Sequence, residues 1–416
     1  MDDEIEAGVT TRPAALTVLA STRRPAATVG TLVIVCVLIV GGATALAVGL
    51  TKGSAGQHRP IPATALKTGS SAPCPPSGAR ANPANPTAVG RWPYRLIERG
   101  TFGSVVSGAG GTAFAIEACG TFESDLRVVR MSLGRSEPVQ ASAFVHAALL
   151  TSSLVSSGGT LYLGAARLDL AGPASSPPYE LTVYRLDPAT MTFTASRALG
   201  RGYGLDLLAT GSELVAATGS SLLRIGRSSL TIRRLAGFGR SVAQHVVADA
   251  ATGAYAVGLF TPGAAAPGAG ARIELVTGRS GHVVSRAALP AGSDPESLVV
   301  AGGRLWAAVG NGLSTTVRVY RLPGLTPVGS GRPNGAWPVL AAPESTALDS
   351  AAGSVWTRGL SELECSSATT GKVLAATTQS GPAPVFLSQI FENGSALYAV
   401  SPAGVGRLFP ATACTR

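Results

Sequence analysis

Apolar positions along this chain fall into two regimes. Between Arg24 and Lys52 no charged residue occurs, and the run 26–50 contains Leu32-Val33-Ile34-Val35-Cys36-Val37-Leu38-Ile39-Val40. About 20 apolar residues span a bilayer core as a helix, because a helix satisfies its own backbone polar groups there. The pattern therefore predicts one transmembrane helix over 26–50, after a cytoplasmic tail at 1–25. From residue 91 onward the pattern changes to short apolar stretches separated by turns of small residues. That is the pattern of many short strands.

The strand pattern repeats. A small-residue turn leads into a strand whose fourth position is aromatic: Gly111-Thr112-Ala113-Phe114, Gly159-Thr160-Leu161-Tyr162, Ser212-Glu213-Leu214-Val215, Thr252-Gly253-Ala254-Tyr255, Gly303-Arg304-Leu305-Trp306, Gly353-Ser354-Val355-Trp356 and Ser395-Ala396-Leu397-Tyr398. The column Phe114, Tyr162, Val215, Tyr255, Trp306, Trp356, Tyr398 is aromatic at all but one position, in a chain that is 5% aromatic. Its mean spacing is about 47 residues. A second column follows in the next strand: Arg130-Met131, Arg185-Leu186, Arg224-Ile225, Glu274-Leu275, Arg321-Leu322, Glu364-Cys365 and Arg407-Leu408. The turns after it, such as Asp187-Pro188-Ala189-Thr190 and Thr369-Thr370-Gly371-Lys372, carry residues suited to turn geometry.

Units of 40–50 residues with three or four strands each indicate a β-propeller. The prediction is an all-β fold, a seven-bladed propeller over 91–416, with six or eight blades also compatible. The aromatic column would fill the wedge between blades. The seventh unit runs out near Cys414 after its third strand, and Trp92-Pro93-Tyr94-Arg95-Leu96-Ile97 is the candidate for the missing outer strand. Pairing the two ends in one blade would close the ring and remove an open sheet edge. On these turns and strands, with Leu186-Asp187-Pro188-Ala189-Thr190, Thr369-Thr370-Gly371-Lys372-Val373 and Gly303-Arg304-Leu305-Trp306, the chain resembles bacterial YVTN/PQQ-like propellers, which are WD40-like in architecture. The resemblance implies a fold and no particular activity.

Composition adjusts this picture in three places. Residues 51–90 hold seven prolines and few large apolar residues, so they read as a disordered Pro/Ala/Gly-rich stalk. As a coil its 40 residues reach about 35 Å. Charged residues make up only 13%, against about 25% in ordinary soluble domains, as expected for a span plus blades buried on both faces. The net charge of +10 is dispersed arginine, since only Lys52, Lys67 and Lys372 are lysines. No basic run with interleaved aromatics occurs, and nucleic-acid binding is excluded on that ground. The basic residues flanking the span balance (Arg12, Arg23, Arg24 against Lys52, Arg59, Lys67), and the Arg23-Arg24 doublet favours a cytoplasmic N-terminus. The alternative is a cleaved signal, with Ala43-Thr44-Ala45 or Ala45-Leu46-Ala47 as the cleavage site. Both readings place the large domain outside the cytoplasm.

Catalytic motifs are lacking: no H-E-x-x-H, G-x-S-x-G or P-loop occurs, and no two histidines have metal-ligand spacing on one element. If a site exists, propeller geometry places it on the loops leading into inner strands. Arg201, Tyr203, Arg240, Gln244, His245, Glu296, Arg332, Trp337 and Glu344 lie there. Arg201, Tyr203, His245, Glu296, Trp337 and Glu344 are the funnel-rim candidates, with Glu296 and Glu344 repeating 48 residues apart. The leading expectation is a membrane-anchored, extracytoplasmic binding or scaffolding module. The alternative is a lyase or hydrolase using Glu296, Glu344 or His245 as base. Expected partners are an envelope protein, polymer or small ligand, and the membrane through one helix. No cofactor or metal is expected, and the chain is read as a monomer. Four cysteines beyond the span suggest two disulfides in an oxidising compartment. Cys74 with Cys414 is the preferred pair because both flank the closure point, which would leave Cys119 and Cys365 free.

Overall fold

The computed structural model describes residues 88–119, 123–134, 140–169, 177–261, 270–310, 314–328, 336–338, 347–359, 362–378 and 387–414. The span at 26–50 and nearly all of the stalk lie outside these residues, and no described helix is long and apolar enough to cross a membrane. The repeats fold as seven antiparallel sheets. Blade 1 starts with inner strand Phe102–Ser107 and continues through Thr112–Cys119 and Glu123–Ser132 to short outer strands Gln140–Ala141 and Val145–Ala148. Blade 2 runs Ser153–Ser157, Thr160–Leu168, Tyr179–Asp187, Thr192–Gly202, and blade 3 Asp206–Ala209, Glu213–Ala217, Ser221–Gly226, Ile232–Gly237. Blade 4 comprises Val242–Asp249, Ala254–Phe260, Arg272–Thr277 and Val283–Ala288. Blade 5 comprises Asp294–Ala301, Arg304–Gly310, Ser314–Arg321, Thr326–Pro327 and Ala336–Pro338. Blade 6 comprises Ala347–Ala351, Ser354–Arg358, Glu362–Ser367 and Val373–Thr378.

Blade 7 joins the two ends of the ring. Its inner strands are Gln389–Asn393, Ala396–Ser401 and Gly404–Leu408, and its outer strands are Trp92–Arg99 and Ala88–Val89 from the start of the described chain. Tyr94 pairs with Leu408 and Arg99 with Gly404. The closing strand is held by more than its ladder. The Tyr94 hydroxyl lies 3.2–3.3 Å from Ala399 O, Gly404 O and Ser401 Oγ, and burial pushes its pKa up to about 12. Gly404 has φ +141°, and a Cβ there would lie 1.9 Å from Glu98 O, so this hairpin admits the closing strand only as glycine.

Alternating residues on each strand reach opposite blade faces, so every blade contributes to two wedges. The buried core divides accordingly into seven clusters, each shared by two neighbouring blades around the ring. Phe114, Tyr162, Val215, Trp306, Trp356 and Tyr398 each fill the wedge toward the following blade. Tyr255 departs from this column. It packs with Val215 and Phe238 toward the preceding blade, while Ala254 and Ala256 face blade 5. The cause is the turn before it. Blade 5 turns tightly on Gly302-Gly303, with Ala301 opposite Arg304, whereas blade 4 spans Ala250–Gly253 between the paired Asp249 and Ala254. Asp249 organises that longer turn by accepting from the Ala251 N–H and the Thr252 hydroxyl. A one-residue slip in alignment moves a strand side chain to the other face.

The preferred disulfide is corrected. Cys414 is bonded to Cys365, in the third strand of blade 6, with a Cα–Cα distance of 5.9 Å. After Leu408 the chain does not stop at the closure point. Its short 3-10 turn Thr412–Cys414 packs against blade 6, where the Ser354 hydroxyl donates to Cys414 O. Cys119 is also disulfide-bonded, so neither cysteine expected to be free is free.

Candidate functional site

Backbone ladders hold each blade together, but neighbouring blades are separate sheets. The inner strands must be joined by other means, and side chains at one recurrent position do this. Ser104 Oγ accepts from Leu154 N of the next blade at 3.3 Å, and Ser153 Oγ from Leu207 N at 3.3 Å. Asp206 Oδ2 accepts from Val246 N at 2.9 Å, and Ser297 Oγ from Leu348 N at 3.1 Å. Asp349 Oδ2 accepts from Ile390 N at 3.0 Å. Gln389 closes the circle, accepting from Val105 N at 2.7 Å and donating to Val105 O at 2.8 Å. At the junction of blades 4 and 5 the position is His245, whose ring hydrogen-bonds the Glu296 backbone. The result is a girdle of polar side chains around the ring axis, all half-buried.

This girdle forms a third repeat column in the sequence, beside the aromatic column and the column that follows it. Ser104-Val105, Ser153-Leu154, Asp206-Leu207, His245-Val246, Ser297-Leu298 and Gln389-Ile390 are polar–aliphatic pairs at one place in successive inner strands. Blade 6 has Ala347-Leu348 there, and Asp349, two residues on from Ala347, substitutes. Arg358 donates to Asp349 from the neighbouring strand, yet burial outweighs this and raises the Asp349 pKa.

The rim candidates separate into engaged and open groups. Arg201 braces the loop between the second and third strands of blade 2: Nη1 meets Asp169 Oδ2 at 2.6 Å and Nε donates to Pro177 O at 3.1 Å. Glu296 is the extra residue of a bulge and folds back over Gly310, where Oε2 accepts from the Thr315 hydroxyl at 2.9 Å. Trp337 lies on Ala336–Pro338, opposite Thr315 in the sheet register. Gln244 is likewise a bulge residue, and its buried Oε1 accepts no hydrogen bond among the described residues. Tyr203 and Arg240 are exposed. Glu344 and Arg332 lie outside the described residues. His146 lies on the outer strand of blade 1, 3.4 Å from Asp125 Oδ1. The Asn393 side chain of the Asn393-Gly394-Ser395 sequon is tied to blade 1, donating to Gly108 O and Thr112 O.

The girdle also brings His245 near Asp206, with Nδ1 3.9 Å from Oδ2. Burial disfavours both charges. It pushes Asp206 up to about 7, against the opposing Val246 N–H, and pulls His245 down to about 4, against the Glu296 backbone. A raised carboxylate pKa removes stability as pH climbs from about 4 to 7, because the unfolded state has already released its proton. A lowered histidine pKa does the reverse between about 4 and 6.5. The two terms oppose each other over that window. His245→Asn should therefore make stability fall more steeply with rising pH than in the parent, and Asp206→Asn should make it rise. Urea midpoints at pH 4.5 and 6.5 measure this, and parallel profiles for both variants and parent would refute the two opposing contributions.

These features define a closed seven-bladed β-propeller. Its fold is similar to that of the β-propeller domain of Myceliophteria thermophila Cps50 (Swd1), with a TM-score of 0.50 and 12% identity over 77% of this chain and 100% of that one. The chain matches no family model and no curated protein sequence.

Proposed function

We propose that the protein is a membrane-anchored, extracytoplasmic propeller of the bacterial YVTN/PQQ-like type that acts as a binding or scaffolding module. The observation that carries the binding reading is the engagement of its chemically capable residues. Arg201, Asp206, His245 and Glu296 each bond within the framework, so they brace a rigid ring whose rim offers Tyr203 and Arg240 outward. Trp337 and Glu344 belong to the same proposed rim. An enzyme would need these groups converging on one cavity, whereas Glu296 turns into its own blade. The Cys365–Cys414 bond supports an oxidising compartment, and the apolar run 26–50 supports the anchor.

Protease added to intact cells should release the propeller without lysis, and a fully protected domain would overturn the proposed location. A photo-crosslinking residue at position 203 of the full chain should give a discrete adduct in intact cells. Equal yields from position 203 and from an outer-strand position such as Val284 would sink the rim reading.

A further inference from the structure

The opposite face, formed by the turns between first and second and between third and fourth strands, holds a cleft of about 470 Å³ between blades 2 and 3. Two arginines line it. Arg185 stands in the third strand of blade 2, opposite Tyr162, and Arg227 follows the third strand of blade 3. Both are half-buried. Three other arginines of these blades pair with carboxylates: Arg167 with Glu180, Arg201 with Asp169 and Arg224 with Glu213. Among the described residues, Arg185 and Arg227 have only neutral acceptors. Arg185 donates from Nε to Thr194 Oγ1 at 2.9 Å and from Nη1 to Ser228 O. Arg227 donates from Nη1 to Ser157 Oγ at 2.8 Å. Asp187 also lines the cleft, but its carboxylate accepts from the Ala189 N–H at 2.9 Å and the Thr190 hydroxyl at 3.0 Å.

The arginines are held in place before any ligand arrives. The Arg227 guanidinium lies over Gly158, whose φ is +57° and where a Cβ would come within 2.8 Å of Nη1. The Tyr162 hydroxyl donates to Arg227 O at 3.1 Å from the blade 2 side. Two fixed, half-desolvated guanidiniums with unused N–H groups match an oxyanion, which forms short charge-assisted bonds to such forks. Ser157 and Thr194 already donate their hydroxyl hydrogens to Thr210 O and Arg185 O, so each keeps one lone pair that, with the Thr160 hydroxyl, can accept from a ligand that also carries hydroxyls. The volume lies in the range of small-molecule sites, about 300–1,000 Å³.

We propose that this cleft binds an acidic sugar residue, a carboxylate or phosphate borne on a polyhydroxylated ring. The proposal concerns the face away from the rim and holds or fails independently of the rim reading. Titration of the full-length protein in detergent with glucuronate, glucose 6-phosphate and glucose, followed by calorimetry, tests it. At least one acidic sugar should bind, glucose should bind at least tenfold more weakly, and the preferred acid identifies the source chemistry. Arg185→Gln and Arg227→Gln should each weaken binding about tenfold, while Arg233→Gln, an exposed arginine outside the cleft, should leave it unchanged. If Arg227→Gln fails to fold, Ser157→Ala, which frees the guanidinium, should still weaken binding several-fold. Glucose binding as tightly as the acids, no binding of either acid, or unchanged affinity in the cleft variants would overturn the proposal.

Discussion

Trp356→Ala should lower unfolding stability by about 3–5 kcal/mol, the range for removing a large aromatic side chain from a packed core. Trp356 is fully buried in the wedge between blades 6 and 7. Its ring meets Trp92 of the closing strand edge-on, with centroids 5.8 Å apart, and its Nε1 donates to Ala351 O at 3.3 Å. The loss has two parts: a cavity in the wedge, and the main apolar support of the strand that closes the ring. Urea unfolding measures the first. Limited proteolysis should show the second as faster cleavage near residues 88–99. Val215→Ala, at the same column position between blades 3 and 4, has less volume to lose and lies far from the closure. Its stability loss should be smaller and its closing strand should stay protected. Equal losses at the two positions would mean that the closure contributes nothing beyond core volume.

Cys414→Ser should remove a comparable amount. The bond joins residues 49 apart, and the chain-entropy model gives about 4 kcal/mol for a loop of that length. The structural consequence is specific. Cys414 is fully buried against blade 6, where its carbonyl accepts from the Ser354 hydroxyl. Losing the bond should free the C-terminal residues while blade 7 stays paired through the ladder between Gly404–Leu408 and Trp92–Arg99. Thermal unfolding with and without reductant measures this. The parent should shift downward on reduction, by at least as much as the variant's deficit because reduction also opens the bond at Cys119. A variant as stable as the oxidised parent would show that the bond closes no loop of energetic consequence.

The contrast between these two sites shows where sequence reasoning succeeded. Trp356 belongs to a column visible as a repeat, and its burial follows from the alternation of strand side chains. The closing strand was legible too, because a unit lacking an outer strand and an unassigned strand-like segment at the other end complete one sheet. Cys414 lies beyond the last repeat, where no periodicity constrains it. Its partner depends on the path of six residues after Leu408, so proximity to the closure point misled. Tyr255 shows the same limit in small: an Asp249-centred turn shifts the register, and the spacing of the aromatic column does not reveal that shift.

The funnel candidates divide on similar grounds. Position on the rim is an expectation from repeat order, and Tyr203 and Arg240 are exposed. Direction does not follow from order. Glu296 occupies a bulge and turns toward Thr315, and Arg201 turns toward Asp169, because each finds a bonding partner nearer than the axis. The girdle and the two-arginine cleft are contacts between blades. Arg185 and Arg227 are 42 positions apart and meet one cavity only because consecutive blades stack.

What the sequence by itself determined is therefore the repeat: its period, its strands, its wedge-filling residues and the blade that joins the two ends. Periodicity is enough for these because each blade has the same two faces to bury and the same turns to make. Only the tertiary structure decided which polar groups meet, which cysteines bond and where an unpaired cation faces a cavity. Those outcomes depend on register, bulges and the stacking angle between blades, where a one-residue difference reverses the direction of a side chain.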